Sequence, residues 1–254
     1  MASATWRLVA TMPLSVTIHP TTGEAGYAAV LFDTGVEKNA PYMRWMMVDI
    51  SSVGMLSEFT SDAQWYGEAM PDIAFVQLRL RGTPFLRLAD EDYYVKPGTP
   101  IATSGFPMGR DPLTMMGKVN QVTPFLRRGI VSSVFPFSIP RPHGFTIDIM
   151  QQGGSSGSPI FYDDKPIVVG MMAAGLRDFA PVMIGTTPSL IPFPTNISIA
   201  VAAHMIALAL PTFLQSPFAV NSSAFPTLDE WKASQQPSDE LEWETFCVGT
   251  EPKP

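Results

Sequence analysis

A serine set among glycines can act as a hydroxyl nucleophile, because the chemistry needs a tight, exposed turn and backbone N–H groups aimed at the developing oxyanion. The run Gly153-Gly154-Ser155-Ser156-Gly157-Ser158-Pro159 has that make-up. Glycine permits both the turn and the close approach of a substrate. The same composition also describes an ordinary Gly/Ser loop. A serine nucleophile needs a base, usually an imidazole whose tautomer is held by a carboxylate. The chain has 3 histidines. His19 precedes Asp72, which opens the strand-like run Asp72-Ile73-Ala74-Phe75-Val76-Gln77-Leu78; taken alone, Asp72 also fits an ordinary strand start, and His19 an ordinary loop histidine beside Pro20. His143, in Pro140-Arg141-Pro142-His143-Gly144, reads as a loop residue. His204 falls in a helical stretch and reads as a half-exposed structural histidine.

A second motif overlaps the first. Gly153-Gly154-Ser155-Ser156-Gly157 also fits the Gly-x-Ser-x-Gly elbow of α/β-hydrolases, with Ser155 as nucleophile. That elbow must lead straight into a helix. Pro159 and the β-rich Ile160-Phe161-Tyr162 follow instead, so this reading is disfavoured.

The elements that must position these residues are short, apolar and β-rich. Tyr27–Phe32, Trp45–Ile50, Ile73–Leu80, Gly129–Val134, Phe145–Met150 and Ile167–Met172 are punctuated by the chain's 25 prolines and 19 glycines. Many short strands with frequent turn signals point to an all-β barrel or sandwich. One helix is expected, Ile199–Leu210, ending at Pro211. A boundary falls near Arg87–Pro97, where the acidic run Ala89–Asp92 is followed by the turn Lys96-Pro97-Gly98. The domains are therefore 1–88, 89–212 and an acidic extended tail, 213–254, which Trp231 and Trp243 could dock on the body.

Composition narrows the function. The net charge is −7, most of it beyond Asn221, and no basic patch is present to attract a phosphate backbone, so nucleic acid is not expected as a partner. No run of about 18 apolar residues predicts a membrane-spanning helix. The N-terminus lacks a secretory pattern, which makes a cytoplasmic location the default and leaves the sequons at Asn196 and Asn221 without meaning. The single cysteine, Cys247, excludes an internal disulfide framework. No Cys/His ligand spacing calls for a metal, and no cofactor is expected.

Several segments in register resemble the trypsin-like (chymotrypsin-fold) serine peptidases, in particular their bacterial HtrA-like branch. Gly154-Ser155-Ser156-Gly157-Ser158-Pro159 matches Gly-x-Ser-Gly-[Gly/Ser]-Pro, and Asp148 stands eight residues before Ser156. Asp72-Ile73-Ala74 matches the strand that carries the family's aspartate. Phe85–Asp90, Val95–Gly98, Ile101–Gly109 and Arg128–Ser133 follow in the family's order, and Asn196–Leu210 resembles its last strand and C-terminal helix. His19, in Val16-Thr17-Ile18-His19, occupies the place of the base, one residue closer to the threonine than is usual.

The resemblance implies two six-stranded antiparallel β-barrels with a C-terminal helix. Only 18 residues precede His19, so the N-terminal barrel is trimmed or the true start lies upstream. It also implies a serine endopeptidase with His19, Asp72 and Ser156 as the triad, and with the N–H groups of Gly154 and Ser156 as the oxyanion hole. Met150 would line the base of the primary pocket, and Met172-Ala173-Ala174 would pair with a protein or peptide substrate. The uncharged surroundings favour a hydrophobic or small side chain in that pocket. The alternative is a catalytically silent relative that binds peptides or proteins along the same strand. Oligomeric state is not legible.

Overall fold

The computed structural model describes residues 7–8, 14–18, 25–37, 40–56, 72–83, 85–89, 95–105, 125–136, 141–185 and 187–234. The β-branched and aromatic runs form the strands β1 (Arg7–Leu8), β2 (Leu14–Ile18), β3 (Ala25–Glu37), β4 (Ala40–Met55), β5 (Ala74–Leu78), β6 (Leu86–Leu88), β7 (Pro100–Gly105), β8 (Phe125–Phe135), β9 (Gly144–Ile147), β10 (Pro159–Tyr162), β11 (Ile167–Ile184) and β12 (Thr187–Ala202). Two α-helices follow, α1 (Ala203–Gln215) and α2 (Leu228–Ser234).

The C-terminal half is a closed barrel. Strands pair in the order β11-β10-β7-β8-β9-β12, and β12 returns to pair with β11. All six of these pairings are antiparallel. Closure satisfies the backbone donors and acceptors that an open sheet leaves at its edges. Inward side chains of the barrel, among them Ile101, Val131, Phe145, Ile147, Ile160 and Val168, are fully buried and form one continuous core. This is the six-stranded barrel expected for that half. The N-terminal half contributes, among the described residues, a four-stranded antiparallel meander, β2-β3-β4-β5, rather than six strands. Two more of its strands leave that sheet: β6 lies parallel to β11, and β1 pairs with β6.

Two expectations about the C-terminal region need correction. The helix begins at Ala203, not Ile199, because Ile199–Ala202 continue β12 and pair with β9 and β11. It also passes through Pro211 to Gln215. The lost N–H bond is offset by what lies beyond the proline: Phe213 is buried and its ring stacks on Phe75 of β5, centroids 5.0 Å apart. Helix α1 thus joins the barrel to the four-stranded sheet.

The segment after 213 is not extended through Ser234. Gln77 of β5 donates from Nε2 to Val220 O (2.6 Å) and accepts from Val220 N–H (2.9 Å). The Arg81 N–H bonds Pro226 O, and Arg81 O accepts from Leu228 N–H, each at 2.9 Å. Helix α2 opens with a capping box: Thr227 Oγ1 accepts from Glu230 N–H, and a Glu230 carboxylate oxygen accepts from Thr227 N–H. The Thr227 backbone N–H, and to a lesser extent its side chain, hold the Glu230 carboxyl below its usual value. Trp231 then packs with Leu228 over the buried Val48 and Leu80. The second tryptophan expected to dock, Trp243, lies outside the described residues. Among the described residues no helix is long and apolar enough to cross a membrane.

His204, in the first turn of α1, is half-buried as expected. Burial pushes its imidazole below the ordinary value, with smaller contributions from His143 and Arg141 nearby. The unfolded chain therefore binds this proton more readily than the folded one. Stability contributed by neutral His204 is full above pH 6.5 and falls on acidification below it. Thermal melts from pH 8 to pH 5 are expected to show a shallower loss for His204→Gln than for the wild type. Parallel curves would show that another group carries the dependence.

Candidate active site

The residues around Ser156 form two consecutive tight turns. The Ser155 N–H bonds Gln152 O at 3.0 Å, with Gly154 at φ 86°. The Ser158 N–H bonds Ser155 O at 3.1 Å, with Gly157 at φ 82°. A positive φ at the third of four residues defines a type II turn, and it accounts for glycine at both places. Such a turn rolls its central peptide over relative to type I, which fixes the direction of the Gly154 N–H. Among the described residues no acceptor meets the N–H of Gly154 or of Ser156. Two bonds anchor the loop to β11: Gly157 N–H to Met172 O (2.8 Å) and Met172 N–H to Ser158 O (2.9 Å).

Ser156 is exposed at the crest of the second turn. Its Oγ accepts from Gln151 Nε2 at 2.6 Å and donates to Ala173 O at 3.2 Å. The hydroxyl therefore rests against the strand leading away from the loop. The preceding segment is clamped from three sides. The Asp148 carboxylate accepts the Ile130 N–H at 2.5 Å, and the buried Ser198 donates its hydroxyl to Ile149 O at 2.5 Å. Arg127 reaches across with one guanidinium nitrogen on Met150 O and another on Gln152 Oε1, both at 2.6 Å. Opposite, Gly175 leaves room for Gln151, since a Cβ there would stand 3.0 Å from Gln151 Cβ.

Ser156, Gly154, Met150, Ala173 and Ala174 thus lie on one loop and on the strand it is bonded to. Met172, expected to pair with substrate, is 2% exposed in the barrel core, and both its backbone groups are bonded to the loop. Its backbone holds the loop in place. Asp72 is exposed just ahead of β5, and among the described residues no hydrogen bond links it to the serine loop. His19 lies outside the described residues. His143 is half-buried near His204, and the Ser156 hydroxyl bonds Gln151 and Ala173 instead. The elbow reading is overturned: Ser155 is buried, and strand β10, not a helix, follows.

Sequence reasoning missed Gln151, Arg127, Gly175 and Ser198. Three of them touch the loop from distant strands, so no local spacing marks them. Gln151 stands beside the predicted pocket residue, but nothing in its type announces a bond to the nucleophile.

A family model described as "Trypsin-like peptidase domain" matches residues 28–171. That span contains Asp72, Met150, Gly154 and Ser156, and His19 stands ahead of it. No curated protein matches the chain. Among solved structures, one described as "Structure of GrC" is 12% identical, covers 81% of this chain and 93% of that chain, and superposes with a TM-score of 0.46. Likeness at that level carries no argument of its own.

Proposed function

Because the chain belongs to the trypsin-like peptidase family, we propose that it is a serine endopeptidase with Ser156 as its nucleophile. The observation that supports this most is the pair of turns that lifts Ser156 into solvent while leaving the N–H groups of Gly154 and Ser156 without a partner among the described residues. In this reading the hydroxyl leaves Ala173 O, turns to the imidazole of His19 and gives up its proton as it attacks the peptide carbonyl. Asp72 orients the imidazole and stabilises its cation. The two N–H groups stabilise the tetrahedral oxyanion. The imidazolium protonates the leaving amine, and water then hydrolyses the acyl group from Ser156.

The primary pocket in this reading has Met150 at its base and Gln151 along its wall against Gly175. It takes an uncharged, small or apolar side chain. Ala173 and Ala174 pair with the substrate backbone. Shortening Gln151 to alanine is expected to shift cleavage towards bulkier side chains by about 10-fold, the scale of a few methylene contacts in a pocket. Mass-spectrometric profiling of cleaved peptide pools measures this, and an unchanged profile would remove Gln151 from the pocket.

A fluorescent fluorophosphonate tests the function itself. Labelling of the wild type, lost in both Ser156→Ala and His19→Ala, is the expected result. A folded wild type that takes no label would overturn the peptidase reading in favour of a binding protein. Labelling that survives His19→Ala would move the base elsewhere.

A further inference from the structure

Beyond Gly175, β11 leaves the barrel. From Arg177 to Ile184 it pairs, among the described residues, only with β12, from Pro194 back to Thr187, as a two-stranded arm. The arm turns at Gly185 (φ 64°), the first residue of a two-residue loop closed by Ile184 and Thr187. No Asp, Glu, Lys or Arg occurs from Phe179 to Ile197. The register puts Phe179, Met183 and Leu190 on one face, where they are 58%, 65% and 67% exposed. An isolated two-stranded ribbon is marginal in water, and this one has apolar side chains open to solvent.

Its edges are interrupted by proline. Pro181, Pro188, Pro192 and Pro194 all fall in one parity of the register, paired with Leu190, Met183, Phe179 and Arg177. The Phe179 N–H, in the same parity, bonds the Asp178 carboxylate at 2.8 Å rather than β12. That parity therefore points its donors outward; three of the four prolines strip the β12 edge of all but the Leu190 N–H, and Pro181 interrupts the β11 edge between Phe179 and Met183. The arm's broadest exposed surface is its apolar face.

The arm's root identifies the occupant. β11 enters the arm from Ala173, whose carbonyl accepts from Ser156 Oγ. Gly175 and Ser198, where the two strands leave the barrel, pack on the loop of Met150 and Gln151. A peptide lying antiparallel to Ala173 and Ala174 with its scissile bond at Ser156 runs its N-terminal side towards the arm. At about 3.3 Å per residue, Phe179 stands about 20 Å beyond Ala173, level with roughly the sixth residue before that bond.

We propose that the arm is an exosite for an extended, uncharged apolar stretch of the polypeptide substrate, beginning about six residues before the scissile bond. This rests on the peptidase reading for its orientation, but its test needs no turnover. Binding is measured by fluorescence anisotropy on the Ser156→Ala protein, with fluorescein-tagged decapeptide and tetrapeptide pools built from Val, Leu, Thr and Ser. The decapeptides are expected to bind about 10-fold more tightly than the tetrapeptides, the scale of one or two buried apolar side chains. Adding Phe179→Thr and Leu190→Thr is expected to erase that advantage. Both positions are exposed and threonine suits a strand, and thermal melting confirms that the barrel is intact. As a second readout, a benzophenone on Leu190→Cys is expected to crosslink the decapeptides and not the tetrapeptides.

Length-independent binding, or an advantage that survives the double substitution with no crosslink, overturns the proposal. So does a length-independent protein that binds phosphatidylcholine vesicles, or sediments as a dimer, in a manner the double substitution abolishes; the arm's occupant is then lipid or a second copy. Absence of fluorophosphonate labelling in the wild type removes the peptidase reading alone, because the length effect is read without catalysis.

Discussion

Gly154→Ala is expected to cut turnover of fluorescein-labelled casein by about 100- to 1000-fold, the loss that follows removal of one oxyanion donor. Gly154 sits at φ 86°, where a Cβ strains the backbone. The strain is relieved most cheaply if the turn between Gln152 and Ser155 relaxes from type II to type I. That change rolls the Gly153–Gly154 peptide over and takes its N–H away from the reacting carbonyl. The loss should appear in kcat with KM little changed, because the oxyanion forms only in the transition state. Fluorophosphonate labelling should slow in parallel. A Gly154→Ala protein with wild-type kcat would show that the Gly154 N–H takes no part in the reaction.

Phe213→Ala is expected to cost about 3–5 kcal/mol of stability, as for other large buried aromatics. In a chain of this size that lowers Tm by roughly 10 °C. Phe213 is 3% exposed, stacks on Phe75, and its ring fills the space left by the absent side chain of Gly54. Alanine leaves a cavity on the seam between the barrel and the four-stranded sheet, where neighbouring side chains have little freedom to collapse. Thermal or urea unfolding measures the loss. A cost below about 1 kcal/mol, the scale of an exposed position, would show that the end of α1 is not docked against β5.

Features fixed by neighbours in sequence were legible from the chain alone. The serine loop could be read because its two turns need glycine at fixed places, and Gly154 and Gly157 occupy them. The strand after Asp72 and the barrel strands announced themselves by β-branched and aromatic runs between turn residues. The β11–β12 arm was hidden for a physical reason. Its four prolines look like strand breakers until the register shows them all at outward positions, where the ladder does not need their N–H groups. The end of α1 was misplaced on the same ground: proline disfavours a helix interior, but the burial of Phe213 outweighs the lost bond. Acidity and prolines after 213 concealed the capping box of Thr227 and Glu230, a local signal that was there to be read. The clamp of Arg127 on Met150 and Gln152 had no local signal, because it joins strands far apart in the chain.

The segment bonded at Val220 to Gln77 of β5 and continuing into α2 also sets the order in which the molecule can be completed. Gln77 and Val220 are 143 residues apart, and two of the side chains that cover Val48 and Leu80, Leu228 and Trp231, come from the end of the described chain. On the ribosome the first sheet is therefore made long before its cover is synthesised, and its apolar patch waits for almost the whole of the second half. Contacts of such long range slow folding and prolong exposure of sticky surface. A chain cut short before Trp231 should therefore aggregate more readily than the full chain.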